Sequence, residues 1–246
     1  MMRILVAALT LFFVAVPATQ SATAVVASTT WVAAFARAAG SSDLTVIAPA
    51  GLTHPPDYDP RPSDLMAVSR ADLVLVGGYE AFVPRLRDAL GARGQMLTVN
   101  TTYDPHVVRK EVGAIAAVLG NTVQAVAFAD AYEAAWRESS ARLRQRAGNR
   151  PPVVVVQRFM VPWARLLGVD PAAIFGPGPL SPADLLRIKA LAPTLIIDNA
   201  HAAPAAALAE VTGARRVVLI NFPEADEGLL DVLGRNTQRL KAGLTP

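Results

Sequence analysis

From Thr122 to Ala147 the chain reads TVQAVAFADAYEAAWRESSARLRQRA, and Gly148-Asn149-Arg150-Pro151-Pro152 follows. The stretch reads as one long helix, with Val123, Val126, Phe128, Tyr132, Trp136 and Leu143 available for packing, and the Gly-Asn-Arg-Pro-Pro run is a strong stop. At about 1.5 Å per residue it would extend close to ~40 Å, longer than is needed to cross one sheet. A helix of that length suits a chain built of two lobes. It divides the sequence into an N-terminal lobe over residues 25–121, a connecting helix over 122–149 and a C-terminal lobe over 150–246.

On either side of this helix, short β-branched runs alternate with Ala/Leu-rich helical stretches. The strand candidates are Ala24 to Ala27, Leu44 to Ile47, Leu73 to Val76, Leu97 to Val99, Val153 to Val156, Leu195 to Ile197 and Val217 to Ile220. They are nearly continuous apolar runs, as expected of strands buried on both faces of a mostly parallel sheet. Pro62-Ser63-Asp64 opens a helix, and Ser181-Pro182-Ala183-Asp184 resembles a capping box with proline in the first turn. The fold class is therefore α/β, with a mostly parallel sheet flanked by helices in each lobe.

The first 24 residues read as a cleaved signal peptide: Arg3, an apolar run from Ile4 to Val16 too short to span a bilayer, then small residues with cleavage sites after Ala18 or Ala24. There is no cysteine, hence no lipid attachment site, disulfide framework or thiolate metal site. The expectation is a free exported protein, most simply periplasmic. Its formal charge is +3 with 23 Lys plus Arg, which falls only slightly once Arg3 is removed. The basic residues are scattered apart from the Arg137 to Arg150 segment, which suits the polar face of a helix, so no nucleic-acid partner is expected.

The three histidines each sit where an apolar run gives way to a loop: His54 in Thr53-His54-Pro55-Pro56, His106 in Asp104-Pro105-His106-Val107 and His201 in Asp198-Asn199-Ala200-His201. Ligands of α/β folds sit outside the carboxyl ends of strands, so the three can converge on one cleft between the lobes. Three neutral imidazoles with one oxygen suit tetrahedral zinc. Glu80, in Gly77-Gly78-Tyr79-Glu80 just after a strand, is the candidate for the fourth position. Asp57, Asp59 and Asp198 are candidate ligands or acceptors that fix imidazole tautomers.

Tyr58-Asp59-Pro60-Arg61-Pro62-Ser63-Asp64-Leu65, Arg70-Ala71-Asp72-Leu73-Val74, Asp104-Pro105-His106-Val107, the opening Val25 to Trp31 and the closing Leu233-Gly234-Arg235-Asn236 occur in the order seen in one family. The mature chain resembles the metal-binding solute-binding proteins of ABC importers, the zinc and manganese receptors, along essentially its whole length. The resemblance implies a monomeric receptor that captures a divalent metal, zinc with manganese as the alternative, and hands it to an ABC permease in the inner membrane without catalysing a reaction.

The departures from that pattern are specific. The family's first histidine position holds Pro56, its third ligand position Gln157 and its fourth Asn221. Carboxamides are weak ligands beside imidazole or carboxylate. His201 then stands as the compensating ligand, and His54, His106, His201 and Glu80 form the expected set. Two other readings fit parts of the pattern: an exported zinc hydrolase with Glu80 as base, and the same receptor fold holding an organic or chelated ligand between Trp31, Tyr79, Phe159 and Trp163.

Overall fold

Each apolar run singled out in the sequence overlaps a strand. The computed structural model describes residues 23–202 and 205–244, so the expected signal segment lies, but for its last two residues, outside the described residues. Strands β1 (Ala24–Ala27), β2 (Asp43–Val46), β3 (Leu73–Val76) and β4 (Gln95–Thr98) form one parallel sheet in the order β2-β1-β3-β4. Strands β5 (Val154–Gln157), β6 (Ala173–Phe175), β7 (Leu195–Asn199) and β8 (Arg215–Leu219) form a second, parallel and in the equivalent order β6-β5-β7-β8. The halves thus repeat one topology although the sequence shows no internal repeat. Strand β6 went unread in the sequence because only three residues form it, at a sheet edge, with Ile174 turned outward.

Nine α-helices connect the strands among the described residues: α1 (Thr30–Ala38), α2 (Pro62–Arg70), α3 (Val83–Leu90), α4 (Pro105–Leu119), α5 (Thr122–Ala147), α6 (Val161–Leu167), α7 (Pro182–Lys189), α8 (Ala206–Thr212) and α9 (Leu229–Gly243). The expected starts of α2 and α7 hold. Asp64 accepts from the Arg61 amide at 2.7 Å, and at α7 Asp184 and Ser181 exchange bonds, Asp184 N donating to Ser181 Oγ at 3.2 Å. None of the described helices is long and apolar enough to cross a membrane.

Side chains alternate along each strand, and the alternation sorts the core into three. Val25, Ala27, Leu73 and Leu75 of the first sheet share one cluster with Val154, Val156, Leu195 and Ile197 of the second, with α1, α4, α5, α6 and α9 packed between. Val26, Val74 and Val76 face outward onto Val68 of α2 and Leu86 of α3. Val155 and Ile196 face Ile188 of α7 and Leu208 of α8.

The long helix runs over the 26 residues read from the sequence, and Gly148, at φ 64°, ends it in a backbone conformation that a side chain would oppose. Its buried stripe differs from the expected one. Ala125, Ala129, Tyr132, Ser139, Ser140 and Leu143 face inward, with Trp136 packed beside them, while Val123 is 85% and Val126 55% exposed. The helical period explains the correction: Ala125 and Ala129 lie two turns and one turn before Tyr132, whereas Val123 and Val126 fall off that line.

Leu143, 1% exposed, packs in the shared core. Leu143→Ala is expected to lower unfolding free energy by about 2–5 kcal/mol, and Val123→Ala to change it by less than about 0.5 kcal/mol. Urea denaturation followed by circular dichroism reads both.

Candidate functional site

The loops that leave the carboxyl ends of both sheets surround one cavity of about 700 Å³. Trp31 enters it from the segment after β1, Tyr79 after β3, Asn100 after β4, Phe159 after β5, Asn199 from the end of β7 and Asn221 after β8. This is the position at which open α/β sheets hold ligands.

Two of the four expected metal ligands meet here. His54 and His201 both line the cavity, one from each half of the chain. His54 is held by Asp57, with Nδ1 3.0 Å from Asp57 Oδ2. His201 packs edge-on against Phe222 at 5.1 Å between ring centroids, and neither of its buried ring nitrogens has a hydrogen-bond partner of good geometry. His106 is elsewhere: it is exposed in the first turn of α4, behind Asp104, whose carboxylate caps that helix by accepting from the His106 amide at 3.1 Å. Glu80 lies beneath the cavity wall, 4% exposed. Its Oε1 accepts from the Ser28 hydroxyl and, at 2.9 Å, from the Gly77 amide, while Oε2 has no partner. Among the described residues no group of three or more His, Cys, Asp or Glu is arranged to hold a metal ion.

The remaining acidic candidates have structural partners. Asp59 pairs with Arg85 of α3. Asp198 is fully buried and closes the loop that carries His201: Oδ1 accepts from Asn199 N at 2.8 Å, and Oδ2 from Ala205 N at 3.0 Å and Arg216 Nε at 2.7 Å. Asn199 then accepts from the His201 amide at 2.9 Å. The opposite loop is fixed from α9, where the buried Asn236 donates to the Ile220 carbonyl at 2.8 Å and accepts from its amide at 3.1 Å, so Asn221 and Phe222 leave β8 in a set direction.

Rings fill the junction between the halves. Trp31 stacks on Tyr103 at 5.5 Å and meets Phe222 edge-on at 5.4 Å, and Tyr103 contacts Trp163 at 5.1 Å. The Tyr103 hydroxyl donates to the Asn221 carbonyl at 2.9 Å, and the Tyr132 hydroxyl of α5 donates to the Tyr103 carbonyl at 2.9 Å. Gly77 is needed beside Tyr79 for a steric reason: an added Cβ would run into the Tyr79 ring.

The sequence matches, over residues 25–243, the family model described as the periplasmic component A of the zinc-uptake complex. The chain belongs to this family. No curated protein matches it. Solved structures share the fold at low identity. They include the solute-binding protein FpvC of P. aeruginosa in complex with Ni2+ (TM-score 0.72, 17% identity, covering 90% of this chain and 96% of that one). A Mn-bound periplasmic metal-binding protein from candidatus liberibacter asiaticus aligns at TM-score 0.68 and 17% identity over 91% of this chain and 100% of its own. The laminin-binding protein Lbp of Streptococcus pyogenes aligns at 0.69 and 20% over 92% and 100%.

Within this zinc-uptake family member, three carboxamides, Asn100, Asn199 and Asn221, line the cleft. Asn221 lines it with Oδ1 buried and unpartnered. Gln157 does not line it: its Oε1 caps the following turn by accepting from Phe159 N at 2.7 Å, and its side chain borders a separate cavity of about 290 Å³. Asn100 and Asn199 were missed in the sequence, although each stands at the carboxyl end of a strand, which is the signal that marks ligand-facing positions. Trp31, Tyr79 and Phe159 line the cavity as the organic-ligand reading expected, but Trp163 is core, and Phe222 takes its place.

Asn236→Ala would orphan both the amide and the carbonyl of Ile220 and is expected to cost about 2–4 kcal/mol, measurable by chemical denaturation. Burial pushes His201 below the usual imidazole value, against the carbonyls of Thr53 and Leu52 and the charge of Glu224, which favour its cation. The unfolded chain therefore takes up this proton first as pH falls. Stability should drop from about pH 6.5 downward, until His201 is also protonated in the folded protein. His201→Phe should remove that part of the slope in denaturant titrations of metal-free protein.

Proposed function

We propose that the protein is an exported receptor that captures a divalent transition metal, zinc foremost, in the cleft between the two sheets and delivers it to an ABC-type permease. One observation carries the reading: in a chain of the zinc-uptake family, His54 and His201 come from opposite halves to line one cavity. Imidazole donors favour zinc over manganese, which prefers oxygen. Related folds solved with Ni2+ and Mn2+ support a divalent cargo. Residues 1–24 direct export, the mature protein acts as a monomer, and its lobes, 25–121 and 150–246, are joined by the helical segment 122–149. The role is capture, with no bond made or broken.

The proposed ligand set is His54, His106, His201 and Glu80. His54 and His201 already line one cavity, and sharing an ion requires a ring nitrogen of His201 to turn out of its buried surroundings. His106, exposed at the start of α4, lies outside the cavity lining and has to reorient to join them, and for Glu80 to join them its bond to Ser28 has to break. Asp198, by closing the loop around His201, positions that imidazole.

Calorimetric titration of the metal-stripped mature protein is the test. One zinc per chain, bound more tightly than manganese, is expected, with His54→Ala and His201→Ala each weakening zinc by roughly tenfold or more. An equal loss in His106→Ala places that residue at the ion; unaltered affinity leaves it a surface histidine at a helix start. Folded protein that binds neither metal ends the reading.

A further inference from the structure

The cleft is larger than a bare ion requires and differs from an ion site in charge. Its volume of about 700 Å³ falls within the ~300–1,000 Å³ of small-molecule sites. Of the ionisable groups that line it besides the two histidines, Arg158 and Arg165 are cationic and exposed, and Glu111 is the one carboxylate. Glu111 is partly balanced by Lys110 at 3.6 Å, and Arg165 by Asp104 at 3.3 Å. Arg158 donates to the Gly176 carbonyl at 3.4 Å. A naked divalent cation is repelled by neighbouring cationic side chains and calls for imidazole or carboxylate donors, whereas guanidinium forks recognise carboxylates on a ligand.

The neutral lining agrees. Trp31, 5% exposed, has a buried indole N–H with no partner. That group can only donate, so a metal cannot satisfy it and a ligand oxygen can. Tyr79 and Phe159, 41% and 46% exposed, also line the cavity with aromatic surface. Of the proposed ligands only the two imidazoles line the cleft, too few to complete a divalent ion's coordination there, and the neighbouring carboxamides are weak donors, so ligands brought in with the ion would stand in for His106 and Glu80.

We infer that the cargo enters as an anionic metal chelate, a divalent ion already held by an oxygen-rich polycarboxylate, with His54 and His201 filling the metal's open positions and Arg158 and Arg165 binding the chelator's carboxylates. The inference rests on the metal-receptor reading and specifies the form in which the metal arrives. The aromatic surfaces of Tyr79 and Phe159 then cover the chelator's carbon skeleton, and the Trp31 N–H donates to one of its oxygens.

The test uses tag-free, metal-stripped mature protein titrated with Ni2+ alone, nitrilotriacetate alone and the Ni2+–nitrilotriacetate complex, an anion that leaves metal positions open for imidazole. The complex is expected to bind at least about tenfold more tightly than the ion, a difference of about 1.4 kcal/mol. Arg158→Ala/Arg165→Ala should abolish most of that preference, the corresponding double lysine variant should keep part of it, and His54→Ala/His201→Ala should lose the complex altogether. Ion binding as tight as the complex, or a preference for the complex that survives loss of both arginines, overturns the inference and leaves the receptor reading standing. Nitrilotriacetate binding equally well with and without nickel overturns both, as does failure of ion and complex alike to bind folded protein.

Discussion

The hydroxyl of Tyr103 on the carbonyl of Asn221 is the contact around which the cleft is organised. Tyr103 follows the last strand of the first sheet and Asn221 the last strand of the second, so this bond fastens the two halves at the floor of the cavity. Burial keeps the phenol in its neutral, donating form by raising its pKa well above the ordinary value. Trp31 and Trp163 clamp the ring, and Tyr132 anchors its backbone to the long helix. The loops carrying His54 and His201 are positioned relative to a junction that is already fixed.

Fold and donor set have diverged to different degrees. The family's parallel sheets, connecting helix and cleft are all present, while positions facing the cleft carry amides where a strong cation site would carry imidazole or carboxylate. Amides donate and accept at once and carry no charge, so they suit a polar ligand of mixed character better than a naked ion. Asp198 and Glu80 accept hydrogen bonds from backbone amides and from Arg216 or Ser28, contacts that stiffen their loops and, at Glu80, leave Oε2 unpartnered.

Most of the architecture was legible because it rests on local chemistry. Continuous valine and leucine runs announce strands covered on both faces, and Gly148 followed by paired prolines announces the end of α5. What stayed hidden depended on tertiary partners. Strand β6 has too few residues to show a pattern. The inward stripe of α5 uses small alanines where helices pack closely, so the larger valines misled. The Asp-Pro before His106 also opens a helix, and its second role, with Asp104 as the cap of α4, appears only in the structure. Asn100 and Asn199 carry no residue-type signal, and their importance comes from where their strands end.

The shared core has a bearing on folding and on release. The inner face of each sheet is covered by helices of its own half, α1 in the first and α6 and α9 in the second, and these helices meet with α4 and α5 in one apolar cluster that both halves share. A chain in which one half alone has formed leaves the helix faces of that shared cluster uncovered, which favours folding as a single cooperative event. For the same reason, wide separation of the lobes would expose apolar core. The segments after β2 and β7, which carry His54 and His201 outside that cluster, can loosen without prising the two sheets apart, so under the proposed function they are the route by which cargo is released.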